Sequence, residues 1–226
     1  VLAGQAPFDA NGKPFFDFGV KNAVPSEFCP DYILPVKQFQ PSFVSTPFVM
    51  QVRGMRIKAG KGAKSLGQVF DPYFNREITH FCSHQHTPPK TEPSGYDCGV
   101  IKGNILYFAH PVFTIYRGFG TVALRQYVMN AINAFAKGDF SIETNLPSAA
   151  RATLTHQAAK RRYVLHAFFA STSVRGGTIK QENDKPPRSG SVEVIDELIP
   201  LCDIEFSINV PKKLKAVTVE PEGKKL

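Results

Sequence analysis

Several features are scarce or absent in this 226-residue sequence, and each absence excludes a class of protein. No apolar run approaches the roughly 20 residues that a membrane-spanning helix needs. There are four cysteines and no Cys-x-x-Cys pair. This spacing argues against a disulfide framework and predicts a reduced, cytoplasmic setting. The chain begins with Val and shows neither a basic n-region nor an apolar h-region, so no signal peptide is visible and we expect a piece of a longer protein.

Signals for phosphate and nucleic-acid binding are also missing. Residues 58 to 64 contain Gly-Lys-Gly and are followed by Ser65, but no glycine stands where the Walker spacing requires one. The net charge is +8, and the excess is spread evenly over both halves of the chain. An even excess is typical of a solvated basic surface, so we expect neither a nucleic-acid nor a membrane partner.

The sequence does contain the material for a core. Tryptophan is absent, but there are 19 phenylalanines and seven tyrosines, and 42% of the residues are hydrophobic. These values are typical of a soluble globular protein, and the length suits one large domain or two ordinary ones.

The residue pattern predicts three segments. Residues 1–45 are rich in proline and phenylalanine with little periodicity, which indicates a loop-rich lead-in. In residues 46–144, a continuously apolar strand over 104 to 113 precedes an amphipathic helix over 120 to 137. A buried strand followed by such a helix predicts a layered α/β domain.

The last segment, residues 145–226, follows a different pattern. Residues 202 to 210 alternate apolar and polar side chains, and four further stretches are strand-like, over 151 to 157, 163 to 170, 192 to 198 and 214 to 219. Five strands without a helical pattern predict a small all-β sandwich. A polar loop is predicted between the second and third of these strands.

The most distinctive stretch is residues 75 to 89, which read Asn-Arg-Glu-Ile-Thr-His-Phe-Cys-Ser-His-Gln-His-Thr-Pro-Pro. Histidine or cysteine occupies every second position from 80 to 86: His80, Cys82, His84 and His86. If the stretch is extended, these side chains lie on one face, because side chains alternate across a strand.

Two functions fit that face. Imidazole and thiolate groups are zinc ligands, so His80, Cys82, His84 and His86 are metal-ligand candidates, although the spacing matches no standard zinc motif. Alternatively, Phe81, His84 and His86 contact a neighbouring subunit or the rim of a sugar site, since sugars stack on aromatic rings and hydrogen-bond to ring nitrogens. A purely structural role is the third interpretation. His110 and His166, on predicted strands, are interpreted as core histidines.

Several runs resemble the β-galactosidase trimerisation domain. They are Asp-Pro-Tyr-Phe-Asn-Arg at 71 to 76, the histidine-containing run at 80 to 88, and Lys-Gly-Asn-Ile-Leu-Tyr-Phe-Ala-His-Pro-Val-Phe at 102 to 113. The order of the later runs, at 146 to 153, 162 to 166, 192 to 200 and 217 to 223, is similar to the C-terminal half of glycoside hydrolases related to family 42, including α-L-fucosidase-like members.

This resemblance implies an architecture and a role. The parent enzyme has a (β/α)₈ barrel, then a flavodoxin-like domain similar to class I glutamine amidotransferases, then a β-sandwich. We therefore expect a partial flavodoxin-like, amidotransferase-like domain over 46–144, with its opening strands absent, and a sandwich over 145–226. The resemblance further implies self-association, with a trimer suspected, and a carbohydrate substrate bound by an upstream barrel.

The residues themselves do not provide catalytic parts. Glycoside hydrolysis needs a pair of facing carboxylates, whereas Glu77, Glu92, Asp97 and Asp139 fall in predicted turns or helix ends. Cys98 is followed by glycine, as at a nucleophile, but a strand follows it where the amidotransferase elbow requires a helix. No cofactor is expected.

We therefore expect the non-catalytic C-terminal portion of a β-galactosidase- or α-L-fucosidase-like glycoside hydrolase. It would support oligomerisation and shape the substrate entrance. Two alternatives remain open at this stage: a stand-alone binding or scaffold module, and a small metal-binding protein that uses the His/Cys cluster.

Overall fold

The computed structural model describes residues 1–175, 178–179, 188–189, 192–211 and 213–226, with only the backbone described for 178–179, 188–189 and 192. The chain divides into two compact units, Val1–Gly138 and Asp139–Leu226. Residues 1–45, predicted as a lead-in, lie in the first unit and supply the buried side chains of Phe8, Phe18 and Ile33. Within the described ranges, neither helix is both long and apolar enough to cross a lipid bilayer.

The first unit contains nine strands followed by two helices. The strands β1 to β9 are Leu2–Ala3, Val24–Pro25, Asp31–Pro35, Phe48–Met50, Met55–Arg56, Lys64–Ser65, Gly67–Phe70, Gly99–Lys102 and Ile105–Phe108. The helices α1 and α2 are Val112–Phe119 and Val122–Ala136.

The strands of the first unit form small sheets, and most of their pairings are antiparallel. One sheet has the order β1-β9-β8-β6, in which only the β1–β9 pair is parallel. A second sheet has the order β4-β3-β7, and β2 pairs with β5. Strand β3 lies at the centre of the second sheet, and both of its neighbours run antiparallel to it.

The prediction of a layered, flavodoxin-like α/β domain is therefore wrong. Such a fold needs helices between successive parallel strands, to carry the chain back across the sheet. Here the nine strands follow one another through turns and loops, and both helices come after the last strand. Strands joined by short connections pair antiparallel, and this chain is mainly β.

Strand β9 is buried on both faces, as its continuous apolar run predicts. Leu106 and Phe108 point into a cluster with Ile33, Leu124 and other buried residues of the helices and sheets. Tyr107 points to the opposite side, where it packs edge-on against Phe8 and Phe18. This alternation, a direct result of the strand's period of two, divides the core of the unit into two clusters.

The predicted helix over 120 to 137 is confirmed as α2. Leu124, Tyr127 and Ala131 on one face are buried, as the helical spacing requires. The helix ends at Ala136, and the next two residues, Lys137 with φ of 53° and Gly138 with φ of 74°, both adopt left-handed geometry. Left-handed backbone of this kind commonly ends a helix, and glycine adopts it without steric cost.

Helix α1 was missed, because the apolar run over 104 to 113 indicates one long strand. The strand stops at Phe108, and Pro111 stands immediately before the first residue of α1. Proline has a fixed φ and no N–H group to donate, so it is well suited to a helix start. Pro111 was therefore the signal in the sequence that a helix, α1, begins after the strand.

In its described residues, the second unit consists of strands and one 3₁₀ turn, Ala158–Lys160. Its strands β10 to β19 are Ile142–Thr144, Arg151–Gln157, Arg162–Phe168, Ser173–Arg175, Thr178–Ile179, Arg188–Ser189, Val192–Val194, Phe206–Ile208, Thr218–Val219 and Lys224–Lys225. They pair antiparallel as β10–β17, β11–β12, β13–β16, β14–β15 and β18–β19. Of the polar loop predicted between β12 and β16, residues 176–177, 180–187 and 190–191 lie outside the described residues.

The all-β character predicted for the second unit agrees with these strands, and each of the five predicted segments contains one. The two stacked sheets of a sandwich are not seen, because every sheet in the described part of this unit has two strands. None of the residues in this unit whose exposure is described is buried. A two-stranded ladder has too little apolar surface to form a core alone.

The packing of α2 gives a direct test of the fold. We expect Leu124→Ala to lower the free energy of unfolding of the first unit by about 2–5 kcal/mol, because it removes a fully buried side chain from the larger cluster. Met129→Ala, on the exposed side of the same helix, should change it by less than about 0.5 kcal/mol. Chemical denaturation followed by circular dichroism measures both, and equal effects would contradict the packing described.

Candidate functional site

The His/Cys stretch lies in a closed surface loop, residues 72–89, called the histidine loop below. Pro72 and Pro89 form an isolated antiparallel bridge at its neck. The Tyr73 N–H donates to the Pro88 carbonyl at 3.2 Å, and the Lys90 N–H donates to the Asp71 carbonyl at 2.8 Å. The residues enclosed by the bridge, 73–88, have the size and the adjoining ends of an Ω-loop, a form that is often functional.

The extended conformation expected for residues 80 to 86 is not found. Glu77 and His80 exchange backbone hydrogen bonds of 2.8 and 3.2 Å, so the chain reverses direction at Ile78 and Thr79. No described strand pairs with residues 81 to 86. An unpaired segment has no ladder to hold it extended, so the alternation in the sequence does not place the four side chains on one face.

The side chains of the stretch take separate positions. The His80 ring stacks on Phe74, with ring centroids 3.8 Å apart and an interplanar angle of 13°. The Cys82 thiol is half-buried and lies 3.5 and 3.7 Å from the carbonyl oxygens of His84 and His86. The His84 side chain is exposed and His86 is half-buried.

The positions of these side chains do not support the metal-ligand interpretation. Within the described residues, no three or more His, Cys, Asp or Glu side chains are grouped so that they could hold a metal ion. The Cys82 thiol faces backbone carbonyls and the His80 ring faces an aromatic ring, so neither is directed at a shared centre. The arrangement therefore has the geometry of a hydrogen-bonded surface loop.

The histidine loop exposes several large apolar side chains. Ile78 is 96% exposed, Phe81 is 67% exposed, and Tyr73 is 58% exposed. Three large apolar side chains on one loop are more than the single exposed residues common on soluble proteins. Such a group, on a loop that also exposes the His84 side chain, is typical of a surface that contacts another molecule.

The loop is fixed to the body of the unit by side-chain hydrogen bonds. The Tyr32 hydroxyl donates to the Thr87 carbonyl at 2.6 Å, in a buried position. The Asn75 amide accepts from the Cys29 N–H at 3.1 Å and donates to the Glu27 carbonyl at 2.9 Å. Arg76 donates to the Gln85 carbonyl across the loop at 3.0 Å. An exposed tip is thus held on a well-bonded frame.

A buried polar cluster lies beneath the neck of the loop. The Arg56 guanidinium is ion-paired to Asp71, the residue before the neck, and lies 3.9 Å from the Asp31 carboxylate. Asp31 also accepts from the Ser26 hydroxyl at 3.2 Å. The guanidinium lies over the Tyr96 ring, 5.2 Å from its centroid. Sequence reasoning missed this cluster, because its members are far apart in the chain and match no motif.

His110 completes the cluster. Its Nε2 lies 2.6 Å from an Asp31 carboxylate oxygen, and both side chains are 2% exposed. The other ring nitrogen has no hydrogen-bond partner among the described residues. Gly54 packs against the ring, where an added Cβ would be only 2.5 Å away. The prediction that His110 is a core histidine is confirmed, with a carboxylate as its partner, whereas His166 is exposed and is not in a core.

Cys98 has the environment of an inert thiol. It is 1% exposed and its sulfur lies 3.4 Å from the Tyr127 hydroxyl. Burial raises the pKa of the Cys98 thiol from 9.0 to about 12. A nucleophilic cysteine needs a lowered pKa and access to substrate, so Cys98 is a packing residue.

Comparison with known proteins gives one strong similarity. No protein-family model matches the sequence, and no curated protein matches it. The structure is similar to that of α-L-fucosidase isoenzyme 2 from Paenibacillus thiaminolyticus, with a TM-score of 0.86 and 29% sequence identity. The similarity covers 99% of this chain and 32% of the fucosidase chain. The chain thus spans about a third of the length of a glycoside hydrolase that it resembles.

The thiol environments predict a difference in reactivity. At pH 9 and without denaturant, iodoacetamide should label the exposed Cys202 and leave Cys98 unmodified, as peptide mass spectrometry would show. Because burial disfavours the Cys98 thiolate and raises the pKa of the thiol to about 12, the fold loses stability as the pH rises from about 9 towards about 12. Labelling of both cysteines at equal rates in the folded protein would contradict the burial of Cys98.

The hydrogen bond from Tyr32 to the histidine loop predicts how loss of the Tyr32 hydroxyl affects stability. Tyr32→Phe leaves the buried Thr87 carbonyl without its donor, so we expect a loss of about 1–3 kcal/mol in the free energy of unfolding. Hydrogen exchange of residues 73–88 should become faster at the same time. The matched control is Tyr73→Phe, since the Tyr73 side chain is mostly exposed. Unchanged exchange in Tyr32→Phe would show that this bond does not hold the loop.

Proposed function

We propose that this chain is a non-catalytic portion of a glycoside hydrolase that acts on α-L-fucosides. The observation that supports this most strongly is the similarity to one third of the fucosidase chain, which extends over 99% of the present chain at 29% identity. The proposal includes two more specific expectations from the sequence: that the parent enzyme resembles β-galactosidases, and that this chain helps the enzyme to form a trimer. In this proposal the chain assists an active site whose reacting groups lie in another part of the polypeptide.

Three carboxylates of the first unit have structural partners, which supports a non-catalytic role for them. A glycosidase needs one carboxylic acid and one carboxylate, both accessible to the sugar. Asp31 and Asp71 both face Arg56, in the buried cluster under the loop. Asp97 accepts from the Ala59 N–H and the Ser65 hydroxyl, each at 2.6 Å, and so fixes a turn. These carboxylates are bound by groups of the chain itself.

We place the functional contact of this unit at the tip of the histidine loop. Phe81 offers an exposed aromatic face, and His84 offers ring nitrogens that can donate or accept a hydrogen bond. His86 is half-buried, and its carbonyl accepts from the Cys82 thiol at 3.7 Å. An exposed aromatic ring and an exposed imidazole on one loop suit either a sugar or an apolar patch of a second copy of the chain. The proposal is that the loop supports subunit assembly and borders the substrate entrance.

The test uses the natural polypeptide that contains this chain. Its kcat/KM on 4-nitrophenyl α-L-fucoside and its mass by light scattering are measured for Phe81→Ala and His84→Ala. We expect at least one of the two variants to lower kcat/KM by about tenfold or to reduce the oligomeric mass. Gln85→Ala, an exposed change in the same loop, is the matched control and should alter neither quantity.

The outcomes separate the alternatives. An unmodified polypeptide that is inactive on α-L-fucosides and β-galactosides would overturn the glycoside hydrolase proposal and favour a scaffold module. Full activity with an unchanged mass in both loop variants would overturn the role of the loop alone. Stoichiometric zinc in the purified polypeptide, lost in His84→Ala, would instead favour the metal-binding interpretation.

A further inference from the structure

A second surface of the first unit gathers lysines around two adjoining clefts. The clefts have volumes of about 500 and 580 Å³ and share Lys21, Asn22, Gly60 and Lys61 along their common border. Lys13 lines the first cleft and Lys58 lines the second. We call this surface, defined by Lys13, Lys21, Lys58 and Lys61, the lysine groove. Volumes of this size are in the range of small-ligand sites.

The four ammonium groups of the groove are not neutralised. Within the described residues, Lys13, Lys21, Lys58 and Lys61 form no ion pair, and all four are exposed. The carboxylate that lines the groove belongs to Asp17, and it is bonded to Lys102 at 2.7 and 2.8 Å. Like charges repel, so the groove carries a local positive potential that favours an anion.

The backbone beneath the lysines is closely held. Val20 and Ala59 form an isolated antiparallel bridge, and the Gly60 N–H donates to the Gly19 carbonyl at 2.7 Å. Gly19 has φ of 86°, and a Cβ there would lie 2.4 Å from the Cβ of Ala63. The absence of a side chain at Gly19 allows the two segments that carry Lys21 and Lys61 to approach. The lysines are therefore attached to a fixed floor.

An aromatic ring stands beside the charges. Phe16 lines the first cleft and is 45% exposed, and its ring packs against the buried Phe18 at 5.7 Å. One part of the Phe16 side chain is thus held by the core, while another part faces solvent. Asn22, on the border between the clefts, adds an amide that can both donate and accept. Ammonium groups, an amide and a ring together fit a polyhydroxylated ligand that carries oxyanions.

We propose that the lysine groove binds a saccharide that carries sulfate or phosphate esters. The lysines bind the ester oxyanions as point charges, and Phe16 contacts a face of a sugar ring. Two clefts of this size suit a short run of sugar units, whereas specific nucleic-acid interfaces are larger and more extended. The choice of a saccharide over other polyanions depends on the proposed function, whereas the anion site itself depends only on the groove.

The test is direct binding to the full chain. Dextran sulfate, unmodified dextran, phosphorylated dextran, inorganic sulfate and a single-stranded oligonucleotide of matched charge are compared by titration calorimetry at two salt concentrations. We expect the two anionic dextrans to bind, unmodified dextran to fail, and the affinity to fall with added salt. Lys21→Gln combined with Lys61→Gln should weaken binding of dextran sulfate by about tenfold or more. The relative affinities for dextran sulfate and phosphorylated dextran show whether the groove prefers sulfate or phosphate esters.

Control variants keep the proposal open to refutation. Lys37→Gln combined with Lys160→Gln removes the same charge outside the groove, and an equal loss of affinity there would overturn the site in favour of diffuse attraction. Phe16→Ala should weaken the binding of dextran sulfate and leave the binding of inorganic sulfate unchanged. Binding of the oligonucleotide as tight as that of dextran sulfate would overturn the saccharide assignment. None of these ligands contains fucose, so failure here is distinct from failure of the fucosidase proposal.

Discussion

The first unit depends on one buried polar contact, the carboxylate of Asp31 between His110 and Arg56. Asp31 begins β3, Arg56 ends β5, and His110 follows β9, so a single carboxylate connects three segments that are distant in sequence. Arg56 extends the connection to Asp71 at the neck of the histidine loop. A buried ion pair adds little net stability over an apolar substitute, but removing one partner leaves an unpaired charge that is strongly unfavourable. The cluster therefore favours one arrangement of strands and loop over its alternatives.

The same contact connects the core to the candidate site. The loop has its ends closed by backbone bonds and its frame fixed by Tyr32 and Asn75, while its tip exposes Phe81 and His84. A rigid frame with an exposed apolar tip loses little conformational entropy when it binds, which suits a surface that contacts a subunit or a sugar. The lysine groove follows the same principle, because exposed ammonium groups stand on a backbone fixed at Gly19 and Gly60. In both surfaces, the fold thus holds exposed side chains on a fixed backbone, as a binding site requires.

Much of the local structure could be predicted from the sequence, and the architecture could not. The spacing of Leu124, Tyr127 and Ala131 predicted α2, and the apolar run around Leu106 predicted a strand buried on both faces. The α/β class was wrong because it was inferred from one strand and one helix. Antiparallel pairing of β3 with both its neighbours depends on connections and contacts across the chain, which periodicity does not report. The resemblance to an α-L-fucosidase-like glycoside hydrolase agrees with the structural comparison, while the trimerisation-domain resemblance stays a prediction.

By itself, the sequence determined the amphipathic helix α2, a strand buried on both faces around Leu106, and the burial of Tyr127 and His110. These properties follow from the spacing of apolar residues or from immediate neighbours, which are local. Only the tertiary structure decided the form of the His/Cys stretch, which turns at Ile78 and Thr79 and has no strand partner over residues 81 to 86. It also brought Arg56 to Asp31 and placed Lys21 and Lys61 along one groove. Such contacts arise from packing between distant segments, where the energy depends on the whole fold rather than on any one pattern.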